Sequence, residues 1–521
     1  MSQMLKSSGV MTLATLLSRV LGLAREVAYA SFMGTGLVAS AFTFAFIIPN
    51  TFRRLLGEGA LTVAFIPIFK EKEKTAGDSE MWHAANAVIS ASVVFITLVI
   101  GLALLVVSLV LAFASLGPET RLMLRLLRVM LPYMLLVCLA AVFMGMLNAR
   151  GHFFIPALGA TLLNVVMISS VFFAAPLFGD RLEEQIFALA IGVVVAGIAQ
   201  AAFQLPSLHK EGFRLTWVPP WRNDTVRRVV RQMIPATIGV AAYQFNILLT
   251  YAFAFWVDKT IVASFNYAVR LMELPQGLFG ISLATYLLPT LSGLAVEKKY
   301  PEFRTTLGQG LSYITFINSL AAVLLLALAE PMIRLLFERN EFTVDSTRQV
   351  AWALMWLAPG LVSFSMVNIL GRAFYALGDT ATPMRIGVFC LLANLALALC
   401  LVYPLRQGGL GLANTLTSTL NVGLLLYALR RKLGKLELAF LRRQLPLMLG
   451  SALLAGTVAW ASARLWTNYL DHRSLPFKLG EVFMPMTAAT LVYLAATHWL
   501  RIDHTREILA LVLPRIKKNK K

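Results

Sequence analysis

Ten charged residues interrupt segments of this sequence that are otherwise apolar, and they are the first candidates for chemistry. Arginine binds phosphate oxygens through paired hydrogen bonds and keeps its charge even when partly buried. In a segment that crosses a membrane, each such charge costs about 2.5–3.5 kcal/mol at the bilayer centre, so the charges that persist usually face a cavity or a charged partner. The ten residues are Arg19, Arg25, Glu26, Arg53, Arg54, Glu58, Arg270, Glu273, Arg372 and Asp379.

Helical spacing brings several of these charges together. Arg54 and Glu58 are four residues apart, and Arg270 and Glu273 are three apart. These are the spacings at which side chains meet on a helix surface. One interpretation is that such pairs neutralise each other or extend their charged ends to the membrane interface. The other is that they gate or line a transport cavity, and the spacing leaves both open.

The balance of charge differs between the two halves of the chain. The first-half set has four arginines against two glutamates, a surplus of two positive charges, and the second-half set sums to zero. Arg19 and Glu26 are seven residues apart and share a helix face, with Arg25 off to one side. A cavity with surplus arginine suits an anion, whereas a transporter of organic cations would be expected to show surplus Asp or Glu.

The rest of the sequence has to hold these charges within a membrane. Of the 521 residues, 58% are hydrophobic and 14% are charged, whereas a soluble globular chain is about 25% charged. Twelve charge-free stretches are each long enough to span a bilayer, and two further apolar segments, near residues 8–32 and 37–68, carry charges inside. The composition excludes a soluble or disordered protein and predicts an all-α polytopic membrane protein with 14 transmembrane helices.

Most of the formal net charge of +20 is explained by topology. With a cytoplasmic N-terminus, the cytoplasmic loops and the C-terminal tail carry about 26 Lys and Arg, and the opposite loops about 8. Both termini are then cytoplasmic. The basic runs, such as that from Lys70 to Lys74 in the predicted loop after helix 2, are typical of segments beside anionic lipid, so no nucleic-acid partner is predicted.

No catalytic or metal-binding pattern is evident. The sequence contains neither CxxC nor HExxH, so no disulfide framework, metal site or cofactor is predicted. It also lacks a recognisable nucleophile–base constellation and a Walker motif. We therefore expect that the protein is not an enzyme.

An internal repeat at an offset of 227 residues indicates two lobes. In both copies 19 residues separate a proline from a glycine, and 5 separate that glycine from the next proline. Two copies with the same even number of helices should be related by an axis along the membrane normal, as in transporters. The two copies are Pro132, Gly151, Pro156 and Pro359, Gly378, Pro383.

The predicted domain organisation follows from this repeat. Helices 1–6 form an N-lobe at 1–220 and helices 7–12 form a C-lobe at 221–435. Helices 13 and 14, at 436–500, are an appendage, followed by a basic cytoplasmic tail at 501–521.

Several longer motifs occur at these places: SRVLGLARE at 18–26, IPNTFRRLLGEGA at 48–60, AFIP at 64–67, IPA at 155–157, LLN at 162–164, RLMELPQG at 270–277 and LLP at 287–289. Together they resemble the signatures of the MurJ (MviN) lipid II flippases, a family of the multidrug/oligosaccharidyl-lipid/polysaccharide (MOP) exporter superfamily. The resemblance covers the whole chain.

The resemblance implies alternating-access transport of lipid II, the undecaprenyl-pyrophosphate-linked peptidoglycan precursor, to the outer leaflet of the bacterial inner membrane. It implies that helices 13 and 14 form a groove for the lipid tail. It also implies functional roles for six residues, which are Arg19, Arg25, Arg53, Arg54, Glu58 and Arg270. We predict that the five arginines bind the substrate, and we assign Glu58, together with Glu26 and Glu273, to a gate or an ion pair.

Two positions depart from the family pattern. Ser40 stands where some members have an Asp in helix 2, and Val269 stands where an Asp often precedes the helix 8 arginine. Both changes make the predicted cavity less acidic. Any mechanism that needs those two carboxylates is therefore in doubt for this chain.

Several alternatives stay open at this point. The chain could flip another polyprenyl-pyrophosphate-linked glycan, export drugs coupled to a cation, or serve as a membrane scaffold without transport. Its partners would be lipid II and membrane lipids, with cell-wall synthesis enzymes as further candidates. The energy source could be the membrane potential or a monovalent cation.

Overall fold

The computed structural model describes residues 2–55, 61–152, 154–221, 223–437, 439–470 and 474–506. In this part of the chain the regular secondary structure is helical throughout, without a β-strand. The α-helices are α1 Ser2–Met33, α2 Leu37–Phe52, α3 Thr62–Phe113, α4 Pro118–Met130, α5 Tyr133–Ala149, α6 Phe154–Ser169, α7 Leu182–Ala202, α8 Leu205–Lys210, α9 Asp224–Val257, α10 Ile261–Pro275, α11 Ser282–Val296, α12 Tyr300–Ala327, α13 Ala329–Phe337, α14 Val344–Leu357, α15 Leu361–Ala376, α16 Ala381–Leu405, α17 Gln407–Leu433, α18 Ala439–Tyr469 and α19 Leu475–Trp499.

The expected polytopic helical membrane protein is confirmed. Among the described residues, ten helical segments are long and apolar enough to cross a membrane, and α4 with α5 forms an eleventh that is bent by 42°. The remaining three predicted spans correspond to α1, to α2, which has only 16 residues, and to α9, whose described apolar part is Gln244–Val257. The predicted count of fourteen is therefore roughly matched.

One predicted loop is helical instead. The charged run from Lys70 to Lys74, expected between helices 2 and 3, lies within α3. The chain changes direction a little later, at Gly77, whose φ of 81° breaks the helix. Glycine adopts this left-handed conformation without the steric cost that a Cβ atom brings. The charges of the run therefore lie on a helix that leads into the third span.

The internal repeat recurs in the geometry of two turns. The helices α5 and α15 end at Ala149 and Ala376, which are 227 residues apart, and each is closed by a glycine with positive φ. A hydrogen bond from the residue after each glycine closes the same Schellman-type cap. The equivalent bonds are His152 N to Leu147 O at 2.9 Å and Asp379 N to Phe374 O at 3.0 Å.

The chain divides into two compact units, Met1–Ala263 with Arg339–Phe342, and Ser264–Glu338 with Thr343–Lys521. This division follows packing, and it places α9 with the first unit because α9 packs on α2 and α3. The lobe boundaries predicted from topology, including the change at 220/221, stay a prediction.

Each unit has its own apolar core. In the first unit, the ring of Trp82 meets Phe69 edge-on and Phe213 at a tilt, with ring centroids 5.5 Å apart in both pairs, which ties α3 to the segment after α8. In the second unit, Phe303 and Phe374 lie at the centre of a cluster formed by α11, α12, α15 and α17. A separate cluster packs α18 and α19 on α12.

We predict that Gly378→Ala lowers the free energy of unfolding by about 1–2 kcal/mol, because alanine is strained in the left-handed conformation. Gly378 has a φ of +72° and open space around its Cβ direction among the described residues, so the cost is conformational rather than steric. Thermal melting in detergent measures the change. The matched control is Gly371→Ala, within α15 and also in open space, which should be neutral or stabilising. Equal effects of the two variants would contradict this account.

Candidate functional site

Arg25 lies in the most buried part of the candidate site, on α1. Its Nη2 donates a hydrogen bond to Glu26 Oε1 at 2.6 Å, and the two side chains are only 13% and 6% exposed. The guanidinium also lies 5.5 Å from the ring centroid of Tyr29, within the range of a cation–π contact. One of the predicted substrate-binding arginines is therefore held by a carboxylate and an aromatic ring.

A series of packed aromatic rings begins at Tyr29, the residue that contacts Arg25. Tyr29 meets Phe42 edge-on at 5.8 Å, Phe42 stacks on Phe46 at 6.3 Å, and Phe46 lies 6.0 Å from Tyr133. The rings connect α1, α2 and α5. The sequence analysis did not single out these residues, although the i,i+4 spacing of Arg25 with Tyr29 and of Phe42 with Phe46 was a visible signal.

The position of α1 is set by its packing on α6. Asn164 Nδ2 donates to the carbonyl of Ser18 at 3.3 Å, and the same nitrogen lies 3.8 Å from where a Cβ of Gly22 would stand. This separation is an ordinary van der Waals distance, so the two helices are in contact beside the charged segment. Asn164, the last residue of the LLN motif at 162–164, donates to α1 two turns before Arg25.

Arg19 has a different environment from Arg25. Its side chain is exposed, whereas Glu26, seven residues later, is buried. The carboxylate that shares a predicted helix face with Arg19 pairs with Arg25. Of the two arginines, Arg19 is thus the accessible one and Arg25 is the one paired with a carboxylate.

The second pair of predicted arginines lies where α2 ends. Residues 53–55 form a π-helical turn, and both Arg53 and Arg54 are half-buried. Arg53 Nε donates to Asn50 Oδ1 at 2.9 Å, one turn back. Glu58 lies outside the described residues, so the predicted pair between Arg54 and Glu58 does as well.

Ser40, one of the two positions that depart from the family pattern, has a structural role in this protein. Ser40 is fully buried, and its Oγ accepts a hydrogen bond from the backbone N–H of Ala263 at 3.1 Å. Ala263 is the third residue of α10, and such N–H groups have no partner within their own helix. The neutral hydroxyl therefore satisfies a helix end that a carboxylate could also satisfy.

In the second unit, Arg270 and Glu273 form the pair that their spacing suggests. Arg270 Nη1 donates to Glu273 Oε2 at 2.9 Å, with 34% and 48% of the side chains exposed. Both lie near the end of α10, just before the π-helical turn Gln276–Ile281. Val269 is half-buried beside Arg270. This ion pair is far more accessible than the pair of Arg25 and Glu26.

Asp379 lies outside the spans, in the turn after α15. Its carboxylate accepts hydrogen bonds from Lys432 Nζ at 2.7 Å and from the backbone N–H of Thr382 at 3.0 Å. These hydrogen bonds lower the pKa of Asp379 from 3.8 to about 2, and the bond from Lys432 has the largest effect. Asp379 thereby accepts a backbone N–H from the first turn of α16. Arg372, in α15, is half-buried.

In the equivalent turn of the first unit the charges are reversed, since basic side chains of the turn pair with carboxylates from other segments. His152 Nε2 lies 2.7 Å from Glu211 Oε1, and Arg150 bonds to Glu211 at 2.9 Å and to Glu73 at 2.5 Å. Hydrogen bonds from His152 and Arg150 lower the pKa of Glu211. Sequence spacing could not reveal this cluster, because its members come from three distant segments.

Metal-binding chemistry finds no support in the described residues, which contain no group of three or more His, Cys, Asp or Glu side chains suited to a metal ion. Around the predicted arginines, the structure brings guanidinium groups together with carboxylates, an amide or an aromatic ring. Such groups recognise anions by charge-assisted hydrogen bonds.

An all-helical chain with arginines held inside apolar spans is a polytopic membrane protein of the transporter class. The family description "Lipid II flippase MurJ" matches residues 29–480. The chain therefore belongs to the MurJ family of lipid II flippases, which confirms the resemblance seen in the sequence.

Individual relatives agree with this assignment. A probable lipid II flippase MurJ of Vibrio cholerae is 33% identical, covering 88% of this chain and 89% of the relative. The lipid II flippase MurJ of Burkholderia cenocepacia is 32% identical, covering 93% and 94%.

Solved structures show the same fold. A lipid II flippase MurJ in an inward closed conformation matches with a TM-score of 0.78 at 22% identity, over 96% of this chain and 99% of that one. An inward-facing MATE transporter of the MOP superfamily matches with a TM-score of 0.68 at 15% identity, over 82% and 98%.

We predict that Ser40→Ala lowers the free energy of unfolding by about 1 kcal/mol, because it removes the acceptor for a helix-end N–H. The matched control is Ser92→Ala, since the Ser92 hydroxyl bonds only to Val88 O of its own helix among the described contacts. Thermal melting should show a clear decrease for the first variant and little change for the second. If Ser40→Ala melts like the wild type, the proposed role of its hydroxyl is wrong.

We also predict a pH-dependent effect of Asp379→Asn. Because the folded-state pKa of Asp379 is lowered to about 2, its contribution to stability is present above the ordinary pKa of 3.8 and is lost as the pH falls towards 2. The variant should melt below the wild type at pH 7, and the gap should narrow between pH 4 and pH 2. The control Glu297→Gln, in an exposed pair with Lys299, should show little effect. A gap that is constant with pH would contradict the assignment.

Proposed function

We propose that this protein carries lipid II from the inner to the outer leaflet of the bacterial inner membrane for peptidoglycan synthesis. The observation that carries the proposal is the family match across residues 29–480. The retention of arginine in the apolar helices of both units agrees with it, because lipid II has an anionic pyrophosphate. The protein acts as a transporter and not as an enzyme.

Within this function, the predicted arginines have distinct roles. Arg19 is exposed and is suited to first contact with the headgroup, whereas Arg25 is held more deeply by Glu26 and Tyr29. Arg270 supplies the corresponding charge from the second unit. Arg53 and Arg54, at a π-helical turn, are placed where a helix can change its winding, which suits a role in the gate.

Transport then proceeds by alternating access, with the pyrophosphate and sugars inside the protein and the lipid tail in the bilayer. Helices 13 and 14, here α18 and α19, accommodate the tail. The membrane potential is the proposed energy source, because moving one charge across 100 mV is worth about 2.3 kcal/mol. Both termini are cytoplasmic, and cell-wall synthesis enzymes are the proposed protein partners.

We predict that Arg270→Ala reduces lipid II translocation in proteoliposomes at least about tenfold, because it removes a charge-assisted contact to the pyrophosphate. Arg348→Ala is the matched control, since Arg348 is a 69% exposed arginine of the same unit. Accessibility of lipid II to an externally added enzyme measures translocation. Equal rates for Arg270→Ala and the control would contradict the role of Arg270.

A further inference from the structure

The buried arginine of α1 already has an anion bound to it. Glu26 Oε1 accepts from Arg25 Nη2 at 2.6 Å, and Glu26 as a whole residue is only 5% exposed. A phosphate oxygen that binds the same guanidinium donor has to take the place of this carboxylate. Glu26 therefore supports Arg25 and also competes with an anionic ligand for this N–H group.

Tyr29 allows such an exchange without moving the arginine. Its ring lies 5.5 Å from the Arg25 guanidinium and is itself packed against Phe42. The cation–π contact holds the guanidinium without an oxygen acceptor, whereas its N–H groups form hydrogen bonds to oxygen. The ring can therefore keep the guanidinium in place while one oxygen acceptor replaces another.

An empty transporter needs a counter-charge at this position. Burying a lone guanidinium in an apolar helix is costly, and a paired one is tolerated. Lipid II would supply that counter-charge only in the loaded state. A resident carboxylate supplies it in the empty state, when the transporter returns for its next cargo.

We propose that Glu26 is an affinity-determining residue that substitutes for the cargo's phosphate on Arg25 when the site is empty. The inference rests on the proposed function, since it assumes an anionic lipid as cargo. It assigns to Glu26 a function in weakening cargo binding, so that release and return are possible. The pair of Lys299 and Glu297, which is more than half exposed and lies between two spans, should not act in this way, because solvent screens it.

The test is binding of undecaprenyl pyrophosphate to purified protein in detergent, with uncharged undecaprenol as the reference ligand. Glu26→Gln keeps the shape of the side chain but removes its charge, and it should bind the pyrophosphate about tenfold more tightly, the factor expected for loss of a competing charge-assisted hydrogen bond. Glu26→Asp should remain close to the wild type. Glu297→Gln, at the exposed pair with Lys299 in the second unit, is the control and should change affinity less than about twofold.

The remaining outcomes decide the proposal. Undecaprenol should bind equally to all variants, and Glu26→Ala, which removes the same carboxylate, should reproduce the gain if the glutamine variant misfolds. If folded Glu26→Gln or Glu26→Ala binds the pyrophosphate no more tightly than the wild type, Glu26 is only structural and the proposal is overturned. An equal gain in Glu297→Gln would also overturn it. Failure of the wild type to distinguish pyrophosphate from undecaprenol would instead contradict the proposed function.

Discussion

A guanidinium group inside an apolar helix must have a partner, and this constraint explains how the first unit is arranged around Arg25. The carboxylate of Glu26 forms an ion pair with the guanidinium, and the ring of Tyr29 forms a cation–π contact with it. The contacts of Tyr29 continue through the rings of Phe42, Phe46 and Tyr133. The packing of α1 on α6, with the hydrogen bond from Asn164 to the Ser18 carbonyl, holds α1 beside this group. Without that support a binding arginine would either leave the apolar interior or destabilise it.

The two turns of the internal repeat show how one local design is used with different charges. Both end a helix with a glycine in the left-handed region and the same Schellman-type hydrogen bond. The residue after the glycine is His152 in the first unit and Asp379 in the second, and each is held by a side chain of opposite polarity, Glu211 and Lys432. The backbone geometry is thus kept across the repeat, while the ion pairs that fix each turn differ.

Local sequence patterns predicted much of the fold, whereas contacts between residues far apart in the chain could not be predicted. Charge-free stretches located the spans, and the spacing of prolines and glycines located the repeat, because both depend on residues close in sequence. The pairing of Arg270 with Glu273 follows from helical spacing in the same way. The hydrogen bond of Ser40 to Ala263 and the cluster around Arg150 join residues far apart in the chain, so no spacing rule could find them. Helical-face spacing matched Glu26 with Arg19, whereas the buried partner is its neighbour Arg25.

The central claim is that this chain moves lipid II across the membrane, and the orientation of lipid II in living cells tests it most directly. The protein is depleted in its host, in a strain without a second flippase, and the fraction of lipid II in the outer leaflet is measured by cleavage with an enzyme that acts only from outside. The account predicts that this fraction falls as the protein disappears, while total lipid II is maintained or rises. Lipid II that still reaches the outer leaflet at the normal rate would contradict the account.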